Sequence, residues 1–327
     1  MKDEVLTDVE DLTSIFSELS LYYNISGDKN RAYAFEKVSD VLRAYPGDTI
    51  TGKEAAQYKD IGKSSIEIID EYNSTGKVTR LENFRNSNLK DIAVYVKEYT
   101  KIYGIGLEKA LGLYNRGIRD FDTMLTKGGL TEMQKLSLLW YPQYSQPIYR
   151  IEMDYILSKI KKVMDNISTH FLGGEKIVFE LAGSYRRGEA TSGDIDLLIL
   201  HNTNLLNMEL IVETMHEYLK VNLKEGEIIY HGIFRLSNLF NGHRIDILLV
   251  EPEDWYTSLL HFTGSRRFNI LMSKRAIDIG ARLSRKGLFF GDEKIPMKSE
   301  EDIFETMGVM YLPPNKRGKD LQTLTLI

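Results

Sequence analysis

The sequence contains no cysteine, which excludes disulfides, thiolate nucleophiles and cysteine-ligated zinc. It has no apolar run long enough to span a bilayer. No apolar leader follows the opening Met1-Lys2-Asp3-Glu4, so a soluble, intracellular protein is expected, with nucleus and cytoplasm left equally open. There is no low-complexity segment. An overall basic excess is missing too: the formal net charge is -5, which taken alone argues against a nucleic-acid partner.

What is present is an ordinary globular balance, 43% hydrophobic and 27% charged, on 327 residues. That length suits two to four compact units. Charge is unevenly spread: net -5 over residues 1–85, +3 over 86–150, -7 over 151–255 and +4 over 256–327. Basic segments can grip phosphates, and an acidic centre can hold divalent metal. Random scatter of solvated charge would read the same way, so the motifs must decide.

Apolar positions Val5, Val9, Leu12, Ile15, Phe16 and Leu19 recur at helical spacing, and Arg31 to Tyr45 repeats the pattern until Pro46-Gly47. A further helix is expected from Ser64 or Ser65 to Tyr72. Residues 88–140 are helical with a break at Gly104-Ile105-Gly106, and Pro142 to Pro147 reads as a hinge. The period then changes. A helix at 151–166 leads to strands Ile177 to Ala182 and Asp194 to Leu200. A helix Met208 to Leu219 and strands Ile228 to Leu236 and Arg244 to Val250 follow. Residues 256–327 return to helix, with short strands near Leu288 to Phe290.

Asp194 and Asp196 open an apolar strand. Residues two apart share a strand face, so both carboxylates point one way while Ile195 enters the core. Asp246 lies in a second such strand, and if the two strands are neighbours three carboxylates converge. A face of like charges is expensive without cations. Oxygen-only ligands suit magnesium, and two such ions can clamp both oxygens of a phosphoryl transfer. Asp-x-Asp alone would read equally well as a solvated strand edge. The preceding Gly183-Ser184-Tyr185-Arg186-Arg187-Gly188 turn, leading to Ser192-Gly193-Asp194, separates the two readings. Its glycines admit close backbone approach to phosphate, and Arg187 can grip one through two parallel hydrogen bonds. Together these point to nucleotidyl transfer.

Gly183-Ser184 through Asp196, with the later Asp246, resembles the nucleotidyltransferase signature of family X DNA polymerases. His261-Phe262-Thr263-Gly264-Ser265, followed by Phe268-Asn269 and Met272, makes it similar to polymerases like DNA polymerase beta. The resemblance runs from Arg31-Ala32-Tyr33 to Ser299-Glu300-Glu301-Asp302-Ile303-Phe304. It implies an α+β, multidomain fold. A helical lyase-type domain (1–85) would be followed by a helical DNA-binding subdomain (86–147), a catalytic palm with a mixed sheet (148–255) and a nucleotide-selecting subdomain (256–327). It further implies that Asp194, Asp196 and Asp246 bind two Mg2+ ions, for which Mn2+ can substitute, and that Asp246 also activates the primer hydroxyl. Gly183, Ser184, Arg187 and Gly193 match triphosphate contacts. His261, Phe262, Gly264 and Asn269 match the wall around the incoming sugar and base, with His261 where the family usually has tyrosine. Arg244 matches a DNA contact.

Thr100 to Ala110 resembles a helix-hairpin-helix. Amides of Gly104, Ile105 and Gly106 would meet DNA phosphate, and carbonyls of Thr100, Ile102 and Ile105 would hold Na+ or K+. A plain glycine turn between helices would look alike. An earlier copy at Lys59-Asp60-Ile61-Gly62-Lys63 carries Asp60 where the first glycine is expected. Ile68 stands where the family places the lyase lysine, leaving Lys63 as the nearest substitute nucleophile, so full lyase activity is not expected. The family's triphosphate arginine is replaced around Gln146-Pro147. Leu248 and Ser273 also stand where arginines can occur, which suggests lower fidelity.

The implied partners are gapped or nicked duplex DNA, deoxynucleoside triphosphates and a DNA ligase, with the chain a monomer and no membrane involved. No 3′ exonuclease motif is evident, so proofreading is not expected. The short Leu236 to His243 connection favours template-directed gap filling over template-independent terminal transfer. A DNA-binding scaffold with weak catalysis is the non-enzymatic alternative, disfavoured by the presence of all three aspartates.

Overall fold

The computed structural model describes residues 8–327 except 44, 46, 48, 202, 204, 319, 320 and 322. Pro46, expected to stop the second helix, and the Met1-Lys2-Asp3-Glu4 start lie outside the described residues. The chain divides into two compact units, Met1–Leu130 and Thr131–Ile327. Among the described residues no helix is long and apolar enough to cross a membrane.

Among the described residues the first unit is built of helices, with one isolated bridge between Asp8 and Thr49. Its helices are α1 (Val9–Ile25), α2 (Lys29–Arg43), α3 (Gly52–Ala55), α4 (Lys63–Thr75), α5 (Thr79–Arg85), α6 (Leu89–Tyr99), α7 (Leu107–Asn115) and α8 (Phe121–Lys127). The apolar spacing read from the sequence becomes one core, with Leu12, Phe16 and Leu19 of α1 against Phe35 and Leu42 of α2 and Ile69 of α4. Glycines stand at the two hairpin starts. Gly62 precedes α4 and Gly106 precedes α7, and neither helix receives a side-chain cap. Their first amides are therefore left for other acceptors.

The second unit opens with α9 (Glu132–Tyr144) and β1 (Ile148–Tyr149), followed by α10 (Arg150–Phe171), β2 (Phe179–Leu181) and α11 (Gly183–Arg186). Next come β3 (Thr191–Ser192), β4 (Ile195–Leu200), α12 (Met208–Thr214), β5 (Leu219–Glu225), β6 (Ile229–Phe234) and β7 (His243–Val250). The chain continues with α13 (Trp255–Thr263), α14 (Arg266–Asp278), β8 (Ala281–Ser284), β9 (Gly287–Phe290), β10 (Glu293–Ile295) and α15 (Glu300–Thr306). The main sheet runs β2-β4-β7-β6-β5, with β4 and β7 parallel and the other pairs antiparallel. It is the mixed sheet expected.

Strand periodicity explains how this sheet is buried. Ile195, Leu197 and Ile199 of β4 and Ile245, Ile247 and Leu249 of β7 pack into the core shared with Met153, Ile156 and Ile160 of α10 and Ile211 of α12. On the other face Leu198, Leu248 and Val250 pack beneath Trp255 and Leu259 of α13. That cover ends before the beginnings of β4 and β7, where Asp196 and Asp246 occupy the same face.

Two expectations fail. The Pro142 to Pro147 segment is no hinge: α9 runs through Pro142 to Tyr144, with Tyr141 and Tyr144 buried. One proline near a helix end removes one hydrogen bond, which packing of the same turn outweighs. The helix expected to reach Leu219 stops at Thr214, and Leu219–Glu225 is an edge strand. Val221 and Leu223 face inward there while Lys220, Asn222 and Lys224 face out, a period-two signal hidden beside a helical run. The short strands expected near Leu288 are present: Gly287–Phe290 is the middle strand of a three-stranded antiparallel sheet, β10-β9-β8.

Candidate active site

Parallel pairing of β4 with β7 puts Asp196 and Asp246 in direct register. Asp194, one residue before β4, shares their surroundings. Arg244 Nη2 donates to Asp194 Oδ2 at 3.0 Å and lies 3.4 Å from Asp246 Oδ2. Across the antiparallel pair, His231 of β6 is in register with Asp246, and its Nδ1 is 2.7 Å from Asp246 Oδ1. The three expected aspartates are thus brought together, with Arg244 among them. Leu248 is buried under α13 and supplies no donor here.

Burial is costly for this group. It is the largest cause holding Asp194 above the usual carboxylate range; Asp246 adds to that shift and Arg244 opposes it. Asp196 is pushed up to about 8 by burial, then by the charges of Asp194 and Asp246. Gly183 is wedged against it, and a Cβ at that glycine would overlap Asp196 Oδ2. Among the described residues no three histidine, aspartate or glutamate side chains are already closed into a metal cage. The donor set nevertheless fits hard divalent cations. All its oxygens are carboxylate, its charges are mutually repulsive and desolvated, and a cation would relieve both costs.

The turn before β4 is the short helix α11, whose first residue, Gly183, has φ 56°. That left-handed conformation and the closeness of Asp196 together require glycine. Ser184 lies on α11 and Gly193 directly precedes Asp194. Arg187 follows α11. Its Nη1 donates to the Thr263 carbonyl at 2.6 Å, and its Nε donates to Glu189 at 2.8 Å. Arg186 donates to the Thr263 hydroxyl at 2.8 Å and to Glu300 at 2.7 Å. Both arginines of the turn therefore hold the end of α13.

That end is the His261 to Ser265 segment. α13 closes on Thr263, Gly264 takes φ 62°, the Gly264-Ser265 peptide is cis, and Ser265 caps α14. Asn269 donates to the His261 carbonyl at 2.7 Å, and Phe262 meets the His261 ring edge to face. His261, Asn269 and Ser273 line one small cleft with Thr257, Leu260, Leu283 and Ser284. From behind, the Ser265 amide donates to the Arg317 carbonyl at 3.1 Å and its hydroxyl to Gly318 at 3.0 Å. Arg317 is fully buried; it donates to Glu300 at 2.6 Å and to the Leu312 carbonyl at 2.8 Å. Its guanidinium lies over the rings of Phe268, Phe304 and Tyr311. Glu300 is thus a buried carboxylate shared by two arginines, with desolvation balanced by charge-assisted bonds.

Several of these residues were not singled out from the sequence. His231 could have been found by pairing Ile229–Phe234 with His243–Val250 in register. Arg150 lies over the Tyr185 ring and donates to the Tyr185 carbonyl at 2.9 Å, supporting the turn. The Glu300 and Arg317 contacts leave no local signal.

The remaining expected residues lie in the first unit. Gly104 has φ 82° in the turn between α6 and α7, Gly106 precedes α7, and the Ile105 amide donates to the Ile102 carbonyl at 3.0 Å. Thr100 follows α6 as its cap. Asp60 lies 3.6 Å from Lys37, which offsets its charge. Lys63 is the exposed first residue of α4, whereas Ile68 is buried in the helical core.

Comparison with known proteins agrees with this architecture. Residues 8–78 match a helix-hairpin-helix domain, 148–252 the DNA polymerase beta palm and 258–318 the DNA polymerase beta thumb. The chain is 26% identical to DNA polymerase lambda of Arabidopsis thaliana and 23% to that of Rattus norvegicus, each over 94% of this chain. It is 25% identical to DNA-directed DNA/RNA polymerase mu of Homo sapiens over 89% of its length. It spans 61%, 56% and 65% of these relatives, respectively.

Proposed function

This chain belongs to family X of the DNA polymerases, resembling DNA polymerase beta, and on that premise we propose that it fills short gaps in duplex DNA. It would join a deoxynucleoside triphosphate to a primer 3′ end as the template directs. The observation that carries the reading is the register of Asp196 with Asp246, beside Asp194 and next to the Gly183–Arg186 turn. A carboxylate face and a glycine-opened phosphate turn suit the two ends of one phosphoryl transfer.

Membership of the family implies a divalent metal. Asp194, Asp196 and Asp246 would hold two Mg2+ ions, or Mn2+ in their place, which when bound stabilise the attacking and leaving oxygens. Asp246 would take the primer hydroxyl proton. Ser184, Arg187 and Gly193 would bind the triphosphate, while His261, Phe262, Gly264 and Asn269 would face the sugar and base. The uncapped start of α7 would meet DNA phosphate beside a Na+ or K+ at the Thr100 to Ile105 turn. The division at 85, 147 and 255, monomeric and intracellular action without proofreading, hand-over to a ligase, and low fidelity belong to the same reading. Lyase activity would be weak, because Ile68 offers no amine.

Residues 235–242 alone connect β6 to β7, leaving little chain to replace a template. Primer extension tests the reading on gapped duplex and on single strand, with magnesium. Deoxynucleotides should extend the gapped substrate. Equal extension of single strands would replace it with terminal transfer. Ribonucleotides belong in the same test, because the human relative's name covers both DNA and RNA.

A further inference from the structure

Asp246 occupies the middle of a row across three strands, between Asp196 on β4 and His231 on β6. Its two oxygens face different groups. Oδ1 lies 2.7 Å from His231 Nδ1, while Oδ2 is turned toward Arg244, which also holds Asp194. When Asp246 is ionised it can only accept, so this contact then places the hydrogen on His231 Nδ1 as donor.

The terminal torsion of an aspartate is broad, so a carboxylate keeps one orientation only when its surroundings impose it. The repulsive Asp196 on one side does not do so. Leu248, the next residue on the same face of β7, is apolar and buried. Arg244 is shared between two carboxylates and would draw Asp246 toward whichever oxygen came nearer. Among the described residues, His231 contacts Oδ1 from the opposite side of the row.

We propose that His231 is a positioning residue for the reaction: by donating to Oδ1 it keeps Oδ2 of Asp246 directed at Asp194, where the divalent ion is to be held. The proposal rests on reading Asp246 as a catalytic carboxylate. His231 touches neither nucleotide nor primer in this assignment and acts through Asp246. Loss of the donor therefore lowers divalent-ion affinity and the rate of the chemical step, and leaves nucleotide recognition at Ser184, Arg187 and Phe262 intact.

The test uses the full chain with H231L, H231N and D246A. Leucine fills the volume without a donor. Asparagine restores a donor at nearly the place of Nδ1. Two readouts are taken: single-turnover extension on a gapped duplex, and Mn2+ binding followed by electron paramagnetic resonance on a dideoxy-terminated primer, where no turnover occurs. H231L should lose about tenfold in rate and about tenfold in Mn2+ affinity, the range seen when a group orienting a metal ligand is removed. Its nucleotide KM should stay within about twofold. H231N should recover most of both losses. Unchanged Mn2+ binding in H231L, while D246A has lost it, overturns the role of His231 and leaves the site standing. H231N as impaired as H231L, with a parental melting temperature, overturns it equally. Should H231L fail to fold, recovery by H231N decides. Parental rate and Mn2+ binding in D246A would remove the catalytic reading and the role of His231 with it.

Discussion

The carboxylate face of the sheet and the core around α4 were both legible from the same family resemblance, yet they fared differently. On the sheet, Asp194, Asp196 and Asp246 converge with an arginine and a histidine between and behind them. In the helical unit the expected amine position holds Ile68, 3% exposed and packed in the core, while Lys63 points outward from the start of α4. The contrast shows what each chemistry demands. The carboxylate site is spread over three side chains, and two of them, Asp194 and Asp246, are held by a neighbouring arginine and histidine. An attacking amine is one residue, and replacing it by isoleucine gains burial worth about 1.5–3 kcal/mol. Where a function hangs on one side chain, packing can reclaim the position.

The largest expected effect strikes the carboxylate side. Asp246→Ala should reduce primer extension to below a few per cent of the parent while gapped-DNA binding, followed by fluorescence anisotropy, stays near parental. Substantial residual turnover in magnesium would break the comparison at its stronger end.

On the other side, Ile68→Lys should cost roughly 2–5 kcal/mol of unfolding free energy, since it empties an apolar position and buries an amine. Denaturant titration measures that. Borohydride trapping on a gap with a 5′ sugar phosphate should yield little adduct with the parent and more with Ile68→Lys. Efficient trapping by the parent, abolished in Lys63→Ala, would reverse the contrast.

Arg187→Ala comes next. Removing a charge-assisted donor of this type costs about 1.5–3 kcal/mol, so nucleotide KM should rise and the rate fall. Steady-state kinetics over a nucleotide series decide it. An unaltered nucleotide dependence would leave Arg187 a purely structural tie to Thr263 and Glu189.

The smallest effect concerns His243, 2% exposed with Nε2 2.9 Å from Glu152. Burial holds its pKa below the usual 6.5, although Glu152 pulls it upward. The folded protein keeps this ring neutral where the unfolded chain already takes a proton. Stability should therefore fall as pH drops below about 6.5, down to the lowered folded value. Melting curves between pH 7 and 5 should show a shallower fall in His243→Gln. An unchanged slope would assign the acid sensitivity elsewhere.

How much could be read in advance follows from how far apart the partners lie. Asp194 and Asp196 share a face by local periodicity, and the Gly183 turn announces itself within a dozen residues. Convergence with Asp246 needed only the guess that two apolar strands are neighbours, which the sheet fulfils. His231 required a register as well as a pairing. The bond from Arg186 to Glu300 spans 114 residues, and no window of sequence carries it. The errors at Pro142 and Leu219 have a related cause: tertiary packing extended one helix past a proline and turned the end of another into an edge strand.

Glu300 and Arg317 also impose an order on how the molecule is made. Synthesis delivers the three aspartates and both arginines of the turn early, but the corner at Ser265 obtains its carbonyl acceptors only when Arg317 and Gly318 have been added. Until then Glu300 has Arg186 alone, and one partner missing from a buried ionic group is a heavy penalty. A nascent chain would hold its acidic cluster well before the corner at Ser265 could close.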